Sequence, residues 1–126
     1  MPTTGRRLRI TNREAVRDLV GEPARDRRPR RPVLLLSRND AYRYLSKFIV
    51  AEITTTIRAI PVEVKVGRRE GLPSPCVANF DNIRTVARQW LDSRTGALAP
   101  SRHREAKRAL GYALGWGELI DTDPRN

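Results

Sequence analysis

Two kinds of side chain in this sequence are placed where they could act together on a negatively charged group. One is Arg31, which stands directly before Pro32 and the apolar run Val33 to Leu36. The other is the threonine run Thr54, Thr55 and Thr56, which closes a second apolar run, Phe48 to Ile53. A guanidinium offers a planar fork of donors that matches an anionic oxygen pair, and a hydroxyl adds one more donor. If the two apolar runs are neighbouring strands, the start of one and the end of the other converge at one mouth of a sheet. Such a mouth suits an anionic ligand.

The elements that would hold these groups can be read from the pattern. Both runs are too short for a typical helix and are built from residues that fit a pleated, buried surface. Pro32 cannot donate to a ladder and belongs at a strand start, which leaves Arg31 on the rim. Arg38 to Ser46 reads as a polar connection with its turn at Asn39-Asp40, in which Tyr42 and Tyr44 are either exposed rings or packed on the flank of a barrel. Pro61 to Val66 alternates apolar and charged residues at period two, the pattern of a strand with one wet face. Gly67 to Pro75 reads as a loop. A further strand pair is expected at Cys76 to Phe80 and Ile83 to Val86, joined through Asp81-Asn82, where Asn82 and Arg84 are either an amide and a guanidinium near the mouth or an ordinary polar turn. Trp90 and Leu91 should pack beneath the sheet after a short helical turn, and Arg94 to Leu98 reads as a last strand. Ser101 is placed to cap a helix in which Ala106, Ala109, Leu110, Ala113 and Leu114 recur at helical spacing, with Gly115 as its stop and Arg102, Arg104, Lys107 and Arg108 on a solvated face. His103 reads as a surface residue. Short strands separated by turn signals imply a mainly β fold with helices.

At 126 residues and 39% hydrophobic content the chain fits one domain with a modest core. A single cysteine, Cys76, and a single histidine, His103, leave no intrachain disulfide and no cysteine- or histidine-built metal site, so no cofactor is expected. Cys76 reads as a small buried strand residue. Neither a signal peptide nor an apolar span is visible, and a cytoplasmic protein is expected. The formal net charge of +11 points to a polyanionic partner, nucleic acid or an acidic protein. Residues 1–31 alone carry ten arginines against Glu14, Asp18, Glu22 and Asp26. Within them Ile10, Ala15, Val16, Leu19 and Val20 can give one short helix or a weak strand, and the stretch that follows is a basic, turn-rich loop containing Arg25, Arg27, Arg28 and Arg30. Arginine grips phosphate through paired hydrogen bonds, and a tyrosine such as Tyr42 beside arginines can stack on an unpaired base.

Several ordered blocks carry a family resemblance: RPVLLLSRND at Arg31 to Asp40, IVAEITTTIR at Ile49 to Arg58, PVEV at Pro61 to Val64, GLPSPCVANFDNIRTV at Gly71 to Val86, and ALAPSRHREAKRALGYALG at Ala97 to Gly115. In these blocks the chain resembles the MazF/PemK-type toxins of bacterial toxin–antitoxin pairs. The resemblance implies a small, strongly curved, SH3-like antiparallel barrel of five to seven strands closed by a C-terminal helix. It assigns residues 31–116 to that domain, leaves 1–30 as an atypical basic segment and loop, and leaves 117–126 as a tail. It further implies a sequence-selective, metal-independent endoribonuclease that cuts single-stranded RNA through the ribose 2′-hydroxyl, leaving a 2′,3′-cyclic phosphate and a 5′-hydroxyl. The family's catalytic arginine falls on Arg31 and its catalytic threonine on Thr54. RNA would be bound by Arg25, Arg27, Arg28, Arg30, Arg38, Tyr42, Arg58, Asn82 and Arg84, and the partners would be a second copy in a homodimer and an acidic antitoxin. The first-strand signature of that family is absent, so its loop acids do not carry over. A guanidinium is a poor proton acceptor, and water or a loop carboxylate, with Glu22 the nearest candidate, is left for that task. The alternatives are a noncatalytic or degraded member of the same fold that poisons a protein target, or a basic nucleic-acid-binding module.

Overall fold

The two apolar runs form β2 (Arg31–Leu35) and β3 (Lys47–Thr54), paired antiparallel with Val33 opposite Glu52 and Leu35 opposite Val50. This computed structural model describes residues 15–19 and 31–120, and adds β1 (Ala15–Leu19), β4 (Glu63–Val66), β5 (Cys76–Ala87) and β6 (Leu91–Ala97). The six strands lie in the order β4-β5-β3-β2-β1-β6, each neighbouring pair antiparallel. Of the two options left by the N-terminal sequence, a strand is the one adopted, with β1 seated between β2 and β6.

Three expectations about the elements are corrected, and one about Arg102 below. The sheet is not closed into a barrel: β4 and β6 are its two edges and do not pair with each other. Between them sits the 3₁₀ turn Arg68–Glu70 with Gly71, packed so tightly on β6 that a Cβ on Gly96 would collide with the Glu70 carbonyl and one on Gly71 with the Thr95 carbonyl. Backbone contact without a ladder therefore occupies the gap. Second, Cys76 to Val86 is not a strand pair turning at Asp81-Asn82 but one strand, β5, interrupted by a bulge. Third, Ser101 caps no helix; it lies in the 3₁₀ turn Pro100–Arg102 that leads into α2 (His103–Leu114), counting the single-turn α1 (Ala41–Tyr44) as the first helix. α2 ends at Gly115 with φ of 65°, a left-handed conformation that glycine adopts without steric cost. A final turn, α3 (Gly117–Ile120), folds back onto α2, where Gly111 leaves room for Leu119 and Ile120.

Each face of the sheet buries its own cluster. On one face Leu34, Ala51, Ile53, Ala78 and Phe80 pack with Val62, Val64 and Val66 beneath the small residues Ala106 and Ala109 of α2. On the other, Val33, Leu35, Phe48, Val50 and Val86 pack with Tyr42 of α1, whose ring meets Phe48 edge-on at 4.7 Å. Burying one such large apolar side chain is worth about 1.5–3 kcal/mol. Arg88 crosses this second cluster, its guanidinium 4.8 Å from the Phe48 ring centre, and donates to the carbonyls of Tyr42 and Leu45 at 2.8 and 2.7 Å. Cys76 is buried, as expected.

Arg102 is not a solvated surface residue. It donates to both oxygens of Glu105 (2.7 and 3.0 Å), to the buried carboxylate of Glu70 (3.1 Å) and to the Lys65 carbonyl (2.6 Å). Glu70 in turn accepts the Gly67 amide at 2.6 Å, so its buried charge is compensated on both oxygens. This clamp ties the start of α2 to β4 and to the turn that abuts β6. The hydrogen bond from Arg102 holds the Glu105 carboxyl below its ordinary value of 4.5, aided by the guanidinium's charge and opposed by burial. A carboxyl lowered by folding stabilises the fold above its unfolded value and loses that contribution as pH falls through the folded value. The gap in urea midpoint between the parent chain and Glu105→Gln is therefore expected to be widest near neutrality and to shrink as pH drops below 4.5. A gap independent of pH would contradict this role for the carboxylate.

Candidate active site

The β2–β3 register decides where the reactive groups meet. The ladder between the strands ends at Val33 opposite Glu52; continuing the same antiparallel register by two residues sets Arg31 across from Thr54. Side chains at alternate positions share a face, so Arg31 and Val33 of β2 lie with Phe48, Val50, Glu52 and Thr54 of β3. Along this face the second core cluster ends at Val33 and Val50; beyond it come the polar Glu52, Arg31 and Thr54, with the buried Val77 of β5 opposite Thr54. Directly opposed Cβ atoms in such a pair stand about 4.5–5.5 Å apart, close enough for two side chains to hold one anion. Arg31 is exposed and Thr54 half-buried.

The Thr54 hydroxyl oxygen accepts the Thr56 amide at 3.1 Å, which orients the side chain while leaving its proton for another acceptor. The loop that follows is held by Glu63. Its carboxylate accepts the Ala59 amide at 2.8 Å and the Arg58 amide at 3.1 and 3.2 Å, and Ala59 has φ of 58°. A non-glycine residue in the left-handed region costs roughly 1–2 kcal/mol, which charge-assisted bonds to two successive amides can offset. Arg58 is thereby kept exposed at the same end of the sheet as Thr54.

From the other side, β5 brings Arg84 opposite Val50, and its Nε lies 2.8 Å from a carboxylate oxygen of Glu52. Pairing then slips: Ala51 faces Ile83, whereas Glu52 faces Asn79, so Phe80, Asp81 and Asn82 form the bulge. The buried Asn79 side chain accepts the Asp81 amide at 2.8 Å and stabilises this bend, which leaves Asn82 exposed beside the polar end.

Of the expected set, Arg31, Thr54 and Arg84 lie on one sheet face by strand register, while Arg58 is exposed in the loop after β3 and Asn82 is exposed in the bulge of β5. Arg38 is not with them. It follows the far end of β2, roughly 20 Å along the strand direction from Arg31, and is paired with Asp40 at 2.8 Å. Tyr42 is corrected as well: it is core, 2% exposed, because α1 turns its ring onto Phe48, and Tyr44 is the exposed ring of that segment. Arg25, Arg27, Arg28, Arg30 and Glu22 lie outside the described residues. A cleft of about 390 Å³ opens near Ser37, Arg38, Lys47, Ile49 and Thr85, at the end of the sheet away from Arg31 and Thr54. This cleft does not coincide with the expected reactive groups. Sequence reasoning missed Glu52 and Glu63. The signal for Glu52 was a lone carboxylate inside the apolar run Phe48 to Ile53; Glu63 was hidden in an alternation that any wet strand face shows.

Residues 18–114 match the family described as PemK-like, MazF-like toxin of type II toxin–antitoxin system. Endoribonuclease MazF3 of Mycobacterium tuberculosis is 38% identical over 88 residues, 68% of this chain and 85% of that protein. Probable endoribonuclease MazF2 of the same species is 36% identical over 86 residues, 68% of this chain and 84% of that protein. Among solved structures, Mycobacterium tuberculosis toxin MazF-mt6 is similar with a TM-score of 0.72 and 31% identity, over 80% of this chain and 96% of that one. An endoribonuclease in complex with its cognate antitoxin, from a mycobacterial species, is similar with a TM-score of 0.69 and 29% identity, over 82% of this chain and 94% of that one.

Because Glu63 anchors the loop after Thr54 through backbone amides, Glu63→Ala should free those amides while leaving the sheet intact. Hydrogen bonds to a charged group are worth about 1.5–3 kcal/mol, so exchange at Arg58 and Ala59 is expected to quicken by at least about tenfold. Unchanged exchange at both positions would show that the loop is held some other way.

Proposed function

The chain belongs to the PemK-like, MazF-like toxins of type II toxin–antitoxin systems, and we propose that it is a sequence-selective endoribonuclease acting on single-stranded RNA. The observation that supports this reading is the β2–β3 register, Val33 opposite Glu52, which continued by two residues sets Arg31 across from Thr54 on one sheet face. The scissile phosphate sits between them. The ribose 2′-oxygen attacks phosphorus, the bond to the 5′-oxygen breaks, and the products are a 2′,3′-cyclic phosphate and a 5′-hydroxyl. Arg31 offsets the charge that builds on the phosphorane oxygens, and Thr54 donates its remaining proton to a nonbridging oxygen. Both act on charge that is greater in the transition state than in the bound substrate, which is what lowers a barrier rather than merely tightening binding. Cyclisation of this kind asks only for charge stabilisation and proton transfer.

Arg58 and Asn82 flank the pair and contact the strand on either side, the guanidinium at phosphate and the amide at a base edge. Arg84, tied to Glu52, adds positive potential. Arg25, Arg27, Arg28 and Arg30, directly ahead of Arg31, contribute nonspecific phosphate attraction. In this scheme the working unit is the sheet with α2, an open relative of an SH3-like barrel, and the first thirty residues supply the strand β1 and a run of arginines ahead of Arg31. The net charge of +11 favours an acidic antitoxin as inhibitor. A two-fold dimer would cover sheet edges that lack partners among the described strands. The cytoplasm is the compartment that holds such an RNA substrate, and no helix among the described residues is long and apolar enough to cross a membrane.

End-labelled RNA incubated with the purified protein in EDTA tests this reading. Cleavage at a short recurring sequence with 5′-hydroxyl ends is expected, from a species whose sedimentation mass at micromolar concentration is that of two chains. Arg31→Ala and Thr54→Ala should each slow cleavage at least about a hundredfold without loss of fold, the scale on which a single transition-state donor acts. Arg31→Lys should also fail, because a point charge does not reproduce the planar fork. Near-normal cleavage by folded Arg31→Ala would remove the proposed role.

A further inference from the structure

The cleavage step needs a group to receive the proton of the attacking 2′-hydroxyl, and Arg31 has no lone pair to offer at neutral pH. Resting on the ribonuclease reading above, we infer that Glu52 is that general base. It shares the face of Arg31 and Thr54, two residues before Thr54 on β3 and opposite Val33 on β2. Two residues of strand span about 6.6 Å, and diagonal neighbours across an antiparallel pair lie about 7–8 Å apart. A phosphate held between Arg31 and Thr54 therefore leaves the adjoining 2′-oxygen within reach of a glutamate side chain.

Packing sets Glu52 apart from its surroundings. Its neighbours along β3, Val50, Ala51 and Ile53, are all buried, whereas the Glu52 side chain is 38% exposed and open to a ligand. Arg84 forms an ion pair with it, Nε 2.8 Å from Oε2, and among the described residues no hydrogen bond to Oε1 is formed. Glu63, on the same rung two strands away, differs in that both of its oxygens are taken by the Arg58 and Ala59 amides. Among the described residues, the charged groups that share this face near Glu52 include Arg84 of β5, Arg31 of β2, Arg17 of β1 by its register opposite Val33, and Glu63 and Lys65 of β4. Arg84 is in this scheme a positioning residue.

Protons and bonds balance across the step. The 2′-oxygen forms its bond to phosphorus as its proton passes to Oε1 of Glu52. The bond from phosphorus to the 5′-oxygen breaks, that oxygen takes a proton from water, and Glu52 gives its own proton to the hydroxide left behind. No redox change occurs and no other reactant is consumed.

The test compares parent, Glu52→Gln and Glu52→Asp proteins on the same labelled RNA in EDTA across a range of pH, with folding checked by circular dichroism. Cleavage by the parent chain must come first; its absence would count against the ribonuclease reading, and with it this assignment. General-base removal costs about 10²–10⁴-fold, so Glu52→Gln, which keeps an acceptor for Arg84, should lose at least about a hundredfold in kcat with little change in affinity for a 2′-deoxy analogue. Its residual rate should also lack the limb on which the parent slows as pH drops. Glu52→Asp, with its carboxylate withdrawn by one methylene, should be slower but keep that limb, and its pH profile decides between the outcomes if the glutamine variant does not fold. A folded Glu52→Gln protein within about threefold of the parent, or one that is slow yet keeps the acid limb, would overturn the assignment, as would loss of the limb in Glu52→Asp.

Discussion

The antiparallel register of β2 and β3 is the constraint on which the remainder of this structure depends. With Val33 opposite Glu52, every odd-numbered residue of β2 and every even-numbered residue of β3 shares one face. Sheet side chains alternate strictly, so a slip of one residue would move Arg31 and Thr54 to opposite faces and send either Leu34 or Ala51, whichever strand had turned, out of the core beneath α2. The apolar residues that resist such a slip are therefore the same ones that aim the polar end. Stability and site geometry here share one cause, the cost of exposing two clusters at once.

The polar end is built by departures from regular structure. The bulge in β5 offsets Asn79 from Ile83, which lets one strand present Arg84 to Glu52 and still leave Asn82 exposed. The loop after Thr54 includes a left-handed alanine, and a carboxylate on β4 secures it through backbone amides. Neither feature adds much to the core. Both fix the direction of groups that would otherwise wander, and catalysis by charge stabilisation depends on donors that need no rearrangement when charge appears.

The opposite edge of the sheet follows different rules. The turn Arg68–Glu70 fills the space between β4 and β6 by backbone contact through Gly71 and Gly96, while Arg102 fastens α2 to that turn. A buried carboxylate is tolerated there because a guanidinium and an amide meet it. The sheet remains open in its pairing yet is not loose at that seam.

How far could the sequence alone go? Short apolar runs, one opened by Arg31-Pro32 and one closed by Thr54, were sufficient to place two strands, and the ordered blocks from Arg31 to Gly115 were sufficient for the family, because chain-local patterning and block spacing are properties of sequence. The small-residue helix ending at Gly115 was legible for the same reason. What depended on tertiary structure were the facts that follow from which strands become neighbours. Tyr42 reads as an amphipathic ring until α1 folds it onto Phe48; Arg102 reads as solvated until Glu70, 32 residues earlier in the chain, is brought beside it. Arg38 and Arg31 are close in sequence but sit at opposite ends of an extended strand, where a few residues cover much distance. Glu52 and Arg84 are the reverse case, distant in sequence and joined at 2.8 Å by a register that no local pattern encodes.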